Sequence, residues 1–549
     1  MSTIILVYRR AGLRVNSGVA TGALRLSHLG LALTGGGYLI LAAALMYGLG
    51  YYEPDAMSRT SSTYVAVLGR EPKLEALGFV WQPLPMWLQI PPLMLLRSFG
   101  LQAFAGPLTS VMATVATLLL LGKCCATWNL PAWLRRGLIL LYALNPMVLL
   151  YAINGQTEAT FMLCIIAGVY WFSRWAETSF VHHLALSGMA FSLAFLTRYE
   201  AIPIVAASVI GLLLVCRTTR SLPRGKLVSL MLVFILPPAY AMGVWMLLNW
   251  VIQGDPLFFL SGAYSNVAQT EHNRQPGSNL YYAYRSLGEA VGFVLTRAAF
   301  LAPAFAVLLA VGIPLALIRR SWTTVAIIGI WCSLPVFGAY LVYDGASAGE
   351  LRYYMYVIPA GLFLARAVWQ LSPPPVGTVL GMCTLAMMVL GIPTSLAALM
   401  NPEMGRMEYA IFAEVTGRPY DARLMSRFQD ERAIAESLDA RGVRTPVLLD
   451  AVTGFPILLN SQYPEQFVST TDSDFKAIAE RPTLGVKHIL FHKPGDPSDS
   501  LSEVAYELLV ERYPELLTNS ATWATLEWRQ GNWLMYRVLS DPPEPVAGQ

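Results

Sequence analysis

The sequence predicts a polytopic α-helical membrane protein that carries a small α/β domain at its C-terminal end. Of its 549 residues, 55% are hydrophobic and 13% are charged, and the mean hydropathy is +0.50. An ordinary soluble domain carries about 25% charged residues. Apolar runs long enough to cross a bilayer as helices, about 20 residues each, recur as far as Leu399. Beyond that residue the composition becomes that of a soluble domain.

We expect about eleven transmembrane helices. The fifth and sixth segments are short, and apolar segments of about 10 to 14 residues are often re-entrant or deeply buried, so the number of crossings can change by two. The predicted spans are Leu29–Gly48, Phe104–Leu121, Leu134–Tyr151, Ala159–Trp175, Leu184–Leu196, Ala201–Val215, Leu227–Val251, Val291–Ile318, Trp322–Val342, Met355–Leu371 and Val376–Leu399.

The orientation follows from basic residues in the short loops, which favour the cytoplasmic side. The first 28 residues contain four arginines and no small-residue cleavage site, so a retained, cytoplasmic amino terminus is expected. Lys- and Arg-rich loops then alternate with loops that are poorer in basic residues. An odd number of spans places the chain after Leu399 outside. The sequence thus predicts a multi-pass plasma-membrane protein with an extracytoplasmic C-terminal domain.

The predicted division of the chain is a membrane domain over 1–402, with its first outer loop at 50–103, and an α/β domain over 403–549. Within the outer loop, four prolines interrupt an apolar stretch, and interfacial helices are expected there with Trp81 and Trp87 at headgroup level. In the C-terminal part, "DERAIAESLDARG" and "LSEVAYELLVERYPELL" are typical of helices, and "TPVLLDAV" and "HILFH" of strands. A hairpin is predicted around Gln530 and Gly531.

Several classes of function find no support in the composition. The net charge of +4 is spread over loops without a basic run interleaved with aromatics, so no nucleic-acid partner is expected. The six cysteines form neither a disulfide framework nor a zinc pattern. His488 and His492 share one face of a predicted strand, and we interpret them as a structural pair and not as metal ligands. No cofactor is indicated.

Polar residues at the predicted outer face are the informative feature, because charges kept at a membrane edge need protein or water around them. Carboxylates can act as general bases on a hydroxyl, and arginines can hold phosphate through paired hydrogen bonds. These residues are Glu53, Asp55 and Arg59 in the first outer loop, Glu158 after "NGQT", Arg198 and Glu200 in "TRYE", and Glu350 and Arg352 in "GELRYY".

The acidic loop after the first span, the proline-rich segment, the "NGQTE" turn and the late "RYY" motif resemble the GT-C polyprenyl-phosphate-dependent glycosyltransferases. That superfamily includes protein O-mannosyltransferases and the aminoarabinose transferase of lipid A. The resemblance implies an inverting glycosyltransferase that moves a mannosyl, arabinosyl or related sugar from a polyprenyl-phosphate donor to a hydroxyl acceptor on the outer membrane face. The acceptor would be an envelope glycan, a glycolipid or a protein.

The resemblance also implies roles for single residues. Asp55 in "EPD" is similar to the first-loop catalytic base of the family, and Glu53 is its neighbouring acid across Pro54. Arg352 and Arg198 resemble contacts to the donor phosphate. Arg59, Glu158, Glu200 and Glu350 are expected to bind substrate or to support these groups. A divalent metal between the acids, as in oligosaccharyltransferases, is not indicated by a ligand pattern and stays open.

Structural explanations compete with these roles. Asp55 could cap a helix after the first span, Glu158 could be a first-turn acid favoured by the helix dipole, and Arg198 could pair with Glu200. Two other functions also compete with the transferase. A glycolipid transporter or flippase would place its site near the bilayer midplane, and a glycan-binding scaffold would not need the acids and arginines together.

Overall fold

The structure is a computed structural model that describes residues 20–79, 81–219, 222–262, 265, 268, 270–278, 280–441, 445–493, 501 and 508–543. The described chain is a bundle of apolar helices, and a five-stranded sheet follows in its C-terminal part.

Helices dominate the chain as far as Thr416. A π-helical turn, Ala44–Gly48, extends the first of them. In chain order the helices are α1 (Ala20–Ala43), α2 (Pro54–Leu68), α3 (Leu84–Arg97), α4 (Ala105–Thr127), α5 (Ala132–Ala143), α6 (Pro146–Ile153), α7 (Glu158–Thr178), α8 (Val181–Phe195), α9 (Ala201–Thr218), α10 (Arg224–Gln253), α11 (Phe258–Ser261), α12 (Leu287–Leu301), α13 (Pro303–Ile318), α14 (Trp322–Tyr343), α15 (Val357–Leu371), α16 (Pro374–Leu399) and α17 (Pro402–Thr416).

Seven helical segments among the described residues are long and apolar enough to cross a membrane. They coincide with predicted spans, and the multi-pass α-helical fold is confirmed. Helices α8 and α15, at 15 residues each, are shorter than the roughly 20 residues of a straight span. The number of eleven crossings therefore stays a prediction.

Two predicted spans are not continuous helices. The segment predicted at Leu134–Tyr151 is the pair α5 and α6, bent by 56°, and the segment predicted at Val291–Ile318 is the pair α12 and α13, bent by 109°. Pro146 and Pro303 are the first residues of α6 and α13. A proline disfavours helical geometry in the residue before it, so each proline explains the break that the apolar pattern concealed.

The first outer loop forms helices α2 and α3. Trp87 on α3 is exposed, whereas Trp81 lies against the guanidinium of Arg59, with 4.3 Å between Arg59 Cζ and the ring centroid. Tyr64 and Val65 of α2 belong to the same hydrophobic core as Ile434 and Phe455 of the C-terminal part. This packing joins the outer loop to the C-terminal residues, and the domain division at 402/403 stays a prediction.

The C-terminal part contains one mixed sheet with the strand order β2-β1-β3-β5-β4. Strand β1 pairs in parallel with β2 and β3, and β5 pairs antiparallel with β3 and β4. The strands are β1 (Val447–Leu449), β2 (Phe467–Ser469), β3 (His488–His492), β4 (Ala524–Gln530) and β5 (Trp533–Val538), and the helices are α18 (Gln429–Ala440), α19 (Ala451–Asn460), α20 (Phe475–Glu480), α21 (Leu508–Arg512) and α22 (Pro514–Leu517).

The predicted strands, the hairpin at Gln530 and Gly531 and the helix over 430–442 are confirmed by β1, β3, the β4–β5 pair and α18. Strand β2 and helices α19 and α20 were not predicted. Of the helix predicted over 501–517, residues 502–507 lie outside the described residues, and the rest forms α21 and α22 around Pro514.

Candidate active site

The predicted polar residues meet where several helices begin or end at one face of the bundle. Asp55 is in the first turn of α2, Glu158 begins α7, and Arg198 and Glu200 lie between the end of α8 and the start of α9. Arg352 lies in a 3₁₀ turn, Leu351–Tyr354, between α14 and α15. Segments far apart in the chain therefore supply one site.

Glu53 and Asp55 have different partners. The backbone N–H of Ala56 donates to Glu53 Oε2 at 2.8 Å, so Glu53 is the N-cap residue of α2. Asp55 Oδ2 instead accepts hydrogen bonds from Arg352 Nη2 at 3.1 Å and from Gln156 Nε2 at 3.4 Å. The capping role that the sequence suggested for Asp55 thus belongs to Glu53, and the Asp55 carboxylate bonds to Arg352 and Gln156 instead.

The two carboxyls also differ in proton affinity. Burial, together with the negative charge of Asp55, raises the pKa of Glu53 to about 8. Burial acts in the same direction on Asp55, but Arg352 and Arg59 outweigh it and hold the pKa of Asp55 below its usual range. Asp55 keeps 38% of its side chain exposed, whereas Glu53 is buried. At neutral pH Asp55 is therefore an accessible carboxylate, and Glu53 retains its proton.

Arg352 connects the acids of the site. Its Nη2 donates to Asp55, its Nε forms an ion pair with Glu350, and Nε lies 3.9 Å from Glu158 Oε1. Arg59 is 4.0 Å from Asp55 and donates from Nη1 to Gln156 Oε1 at 2.8 Å. Both arginines are buried. Two buried guanidiniums thus lie beside the Asp55 carboxylate.

Arg198 forms the other half of the cluster. Its Nη1 donates to Glu158 Oε1 and its Nη2 to Glu200 Oε1, each at 2.6 Å. The Tyr353 ring centroid lies 5.4 Å from the Cζ of both Arg198 and Arg352. Two guanidiniums therefore flank one aromatic ring, and the fully buried Glu158 lies between them.

An apolar pocket adjoins this pair of arginines. Its open space is about 440 Å³, and Glu200, Tyr353 and Tyr356 form its polar side. Leu334, Phe337 and Leu341 of α14 form much of the opposite wall. We call this cavity the apolar pocket, and Glu200 is the charged residue of its lining.

ArnT from Cupriavidus metallidurans, solved with bound undecaprenyl phosphate, is similar with a TM-score of 0.52 and 14% identity, over 94% of this chain and 98% of ArnT. The chain has a GT-C fold. The fold class and the resemblance predicted from the sequence are confirmed at this level, and the chain is a multi-pass membrane protein.

Two structures of the Archaeoglobus fulgidus oligosaccharyltransferase are more distantly similar. The apo form has a TM-score of 0.41 and 10% identity over 84% of this chain and 69% of that one; the AglB complex with an inhibitory peptide and a dolichol-phosphate has a TM-score of 0.41 and 11% identity over 83% and 69%. No protein-family model and no curated protein matches the sequence.

In this GT-C fold the eight predicted site residues come together, seven through ion pairs or hydrogen bonds and Glu53 through its place at the start of α2. The structural explanation for Arg198 and Glu200 is correct in one respect, because the two residues do pair. That pairing holds Arg198 against Glu200, which lines the apolar pocket.

Metal ligation finds no geometric support in the part of the chain that the structure describes. No group of three or more His, Cys, Asp or Glu there is placed to hold a metal ion. Arg352 lies between Asp55 and Glu158, in the position from which a bridging cation would neutralise both. His488 pairs with Glu527 at 2.8 Å, and His492 packs against the ring of Trp533, as expected for structural histidines.

Sequence reasoning missed two groups of the site. Gln156 lies inside the motif "NGQTE", and its position two residues before Glu158 could have indicated it. Glu408 on α17 is buried and accepts a hydrogen bond from the Tyr151 hydroxyl at 2.6 Å. These two residues are 257 positions apart, and no local pattern announces such a contact.

Proposed function

We propose that this protein is an inverting glycosyltransferase that moves a sugar from a polyprenyl-phosphate donor to a hydroxyl group of an acceptor at the outer face of the membrane. The observation that carries the proposal is the hydrogen bond between Asp55, an accessible carboxylate, and Arg352. Arg352 is also one of the two arginines that lie against the ring of Tyr353. The proposed base and the proposed phosphate site would then be adjacent, as a single displacement requires.

The donor would bind with its prenyl chain in the apolar pocket and its phosphate at Arg198 and Arg352. A guanidinium presents two parallel donors that match the oxygens of a phosphate. Glu200 and Glu350, which pair with these arginines in the ligand-free structure, would yield to the incoming phosphate oxygens. The bound undecaprenyl phosphate in the structurally similar ArnT supports a lipid phosphate as the donor class.

In the proposed reaction Asp55 removes the proton from the acceptor hydroxyl. The oxygen then forms a bond to the anomeric carbon of the sugar while the bond from that carbon to the phosphate oxygen breaks. The electron pair of the broken bond leaves with the polyprenyl phosphate, and Arg198 and Arg352 balance its added charge. A single displacement of this kind inverts the anomeric configuration.

The location of the charges favours this function over transport. Secondary transporters place their sites near the bilayer midplane, on broken helices of repeated halves. Here the cluster lies at the start of α7, α9 and α15, at one end of the bundle. A glycan-binding scaffold would have no use for a carboxylate whose pKa is lowered by two neighbouring arginines.

The test is a transfer assay with purified protein in detergent or nanodiscs. Labelled polyprenyl-phosphate sugars are incubated with an envelope extract, and covalent labelled product is measured after the lipid donor is extracted. Label that leaves the lipid and appears in an acceptor supports the proposal. Vesicle uptake of intact glycolipid without any covalent product would indicate the transporter, and binding without either result would indicate the scaffold.

A further inference from the structure

A second cavity lies beside Arg352, and it shares none of its described lining residues with the apolar pocket. Its open space is about 280 Å³, a volume that includes space open to solvent. We call it the polar cavity. It is lined by Tyr51, Glu53, Leu150, Tyr151, Asn154, Glu350, Arg352, Met407, Glu408 and Ile411.

The walls of the polar cavity combine hydrogen-bonding groups with an apolar surface. Carboxyl, phenol, amide and guanidinium groups form one part, and Leu150, Met407 and Ile411 form the other. Tyr51 is 4% exposed, and it lines the cavity together with Tyr151. Two phenols therefore contribute to the polar part of the wall.

The backbone of α17 is bent where it supplies this wall. Arg406 has a φ of 33° and a ψ of −95°, which no α-helix contains, and it precedes Met407 and Glu408 directly. The preceding Gly405 packs so closely that a Cβ there would lie 2.6 Å from the carbonyl oxygen of Leu399. Non-glycine residues in such conformations persist where the surroundings impose them, and they are concentrated at functional sites.

We propose that the polar cavity binds the sugar of the donor, and that Glu408 makes it selective for a neutral, hydroxyl-bearing sugar over an acidic one. This inference rests on the proposed function, because it assumes a donor phosphate at Arg352. The sugar is bonded to that phosphate and must therefore lie next to the same guanidinium, while the prenyl chain leaves through the apolar pocket. Asp55 does not line the polar cavity and stays accessible for the acceptor.

The chemistry of the walls fits this class of sugar. One pyranose or furanose ring offers hydroxyl donors at its edge and C–H groups on its face, which suit the oxygen-rich and the aliphatic walls. Glu53, Glu350 and Glu408 surround the space with a single guanidinium among them. Burial raises the pKa of Glu408 to about 7, which already reflects the difficulty of charging it there. A uronate would place its negative charge beside Glu350 and Glu408, at the cost of repulsion between like charges.

The experiment compares binding of three lipids to the purified protein: undecaprenyl phosphate alone, the same lipid carrying a neutral hexose, and the lipid carrying the matching hexuronate. The variants are Glu408→Leu, Glu408→Gln and Tyr151→Phe, and Glu403→Gln is the matched control. Glu403 is an exposed acid in the first turn of the same helix. Undecaprenyl phosphate alone reports on the arginine site and on folding, because it carries no sugar that could enter the polar cavity.

Wild-type protein and the control are expected to bind the hexose lipid more tightly than the hexuronate lipid. Glu408→Leu should lose about tenfold in affinity for the hexose lipid, the size of one or two hydrogen bonds, and keep its affinity for undecaprenyl phosphate. Tyr151→Phe should lose less. Glu408→Gln keeps an oxygen acceptor without the charge, so it should bind the hexose lipid within a few-fold of wild type and accept the hexuronate lipid better.

Equal wild-type affinity for the hexose and hexuronate lipids would overturn the inference. So would Glu408 variants whose ratio of hexose-lipid to bare-lipid affinity equals that of the wild type. Failure of the wild-type protein to bind undecaprenyl phosphate at all is a different result, because it would reject the proposed function at the arginine site.

Discussion

Replacing Asp55 with Asn tests the proposed base directly. Asparagine is nearly isosteric, and its amide oxygen can still accept from Arg352 Nη2, but it cannot take up a proton. Because Glu53 and not Asp55 caps α2, the helix keeps its cap in this variant. General-base assistance contributes about 10²- to 10⁴-fold in rate. Asp55→Asn should therefore lower kcat at least a hundredfold, equivalent to about 3 kcal/mol or more in activation free energy.

Donor binding should survive the same replacement. Asp55 pairs with Arg352, and its neutralisation leaves that guanidinium with less competing negative charge. We therefore expect the affinity for undecaprenyl phosphate to be unchanged or higher in Asp55→Asn. The assay measures initial transfer rates at saturating donor, and it measures lipid-phosphate binding on the same preparation. Glu53→Gln, two residues earlier in the chain, serves as the matched variant.

The pH profile separates the two carboxyls a second time. The pKa of Asp55 is lowered by Arg352 and Arg59, so Asp55 stays ionised and its contribution to the rate stays constant between pH 5 and pH 8. The pKa of Glu53 is raised to about 8, so a rate that depended on ionised Glu53 would fall about tenfold per pH unit below 8. Near-normal turnover in Asp55→Asn, with an inactive Glu53→Gln and that steep acid limb, would refute Asp55 as the base.

Three other expectations can be measured on the same protein. Native Glu53 retains its proton between pH 4.5, its ordinary pKa, and about pH 8, so its contribution to stability falls as the pH rises through that window. Glu53→Gln should therefore raise the Tm relative to wild type more at pH 8 than at pH 5, and a pH-independent difference would contradict this. Arg352→Lys keeps the charge but cannot reach Asp55 and Glu350 with one planar group, so the KM for the donor should rise about tenfold; an unchanged KM would exclude the phosphate role. For the topology, a cysteine at exposed Ser540 should react with an impermeant maleimide in intact cells, whereas one at exposed Arg319 should react only after lysis, and the reverse pattern would overturn the orientation.

The sequence by itself determined the features that depend on local composition. Apolar runs predicted the membrane helices, because a segment that spans lipid must satisfy its own backbone hydrogen bonds. Alternation and turn residues predicted the β4–β5 hairpin. The eight site residues could be named because charges at the edge of apolar segments are costly unless they have a function or a partner. Pro146 and Pro303 were also visible, but the hydropathy of their segments hid the bends of 56° and 109°.

Tertiary structure decided which of these residues face one another. Arg352 reaches Asp55 across 297 positions, and Tyr151 reaches Glu408 across 257. Such contacts depend on how the helices pack against one another. Helix packing depends on the shapes of whole helix surfaces, so no periodic pattern in the sequence predicts it. The same packing placed Tyr64 of α2 in the core of the C-terminal sheet. It also made Glu53 the N-cap residue of α2 and placed Arg352 against Asp55. The proton affinities of the two carboxyls follow from burial and neighbouring charge, which are fixed only when the chain folds.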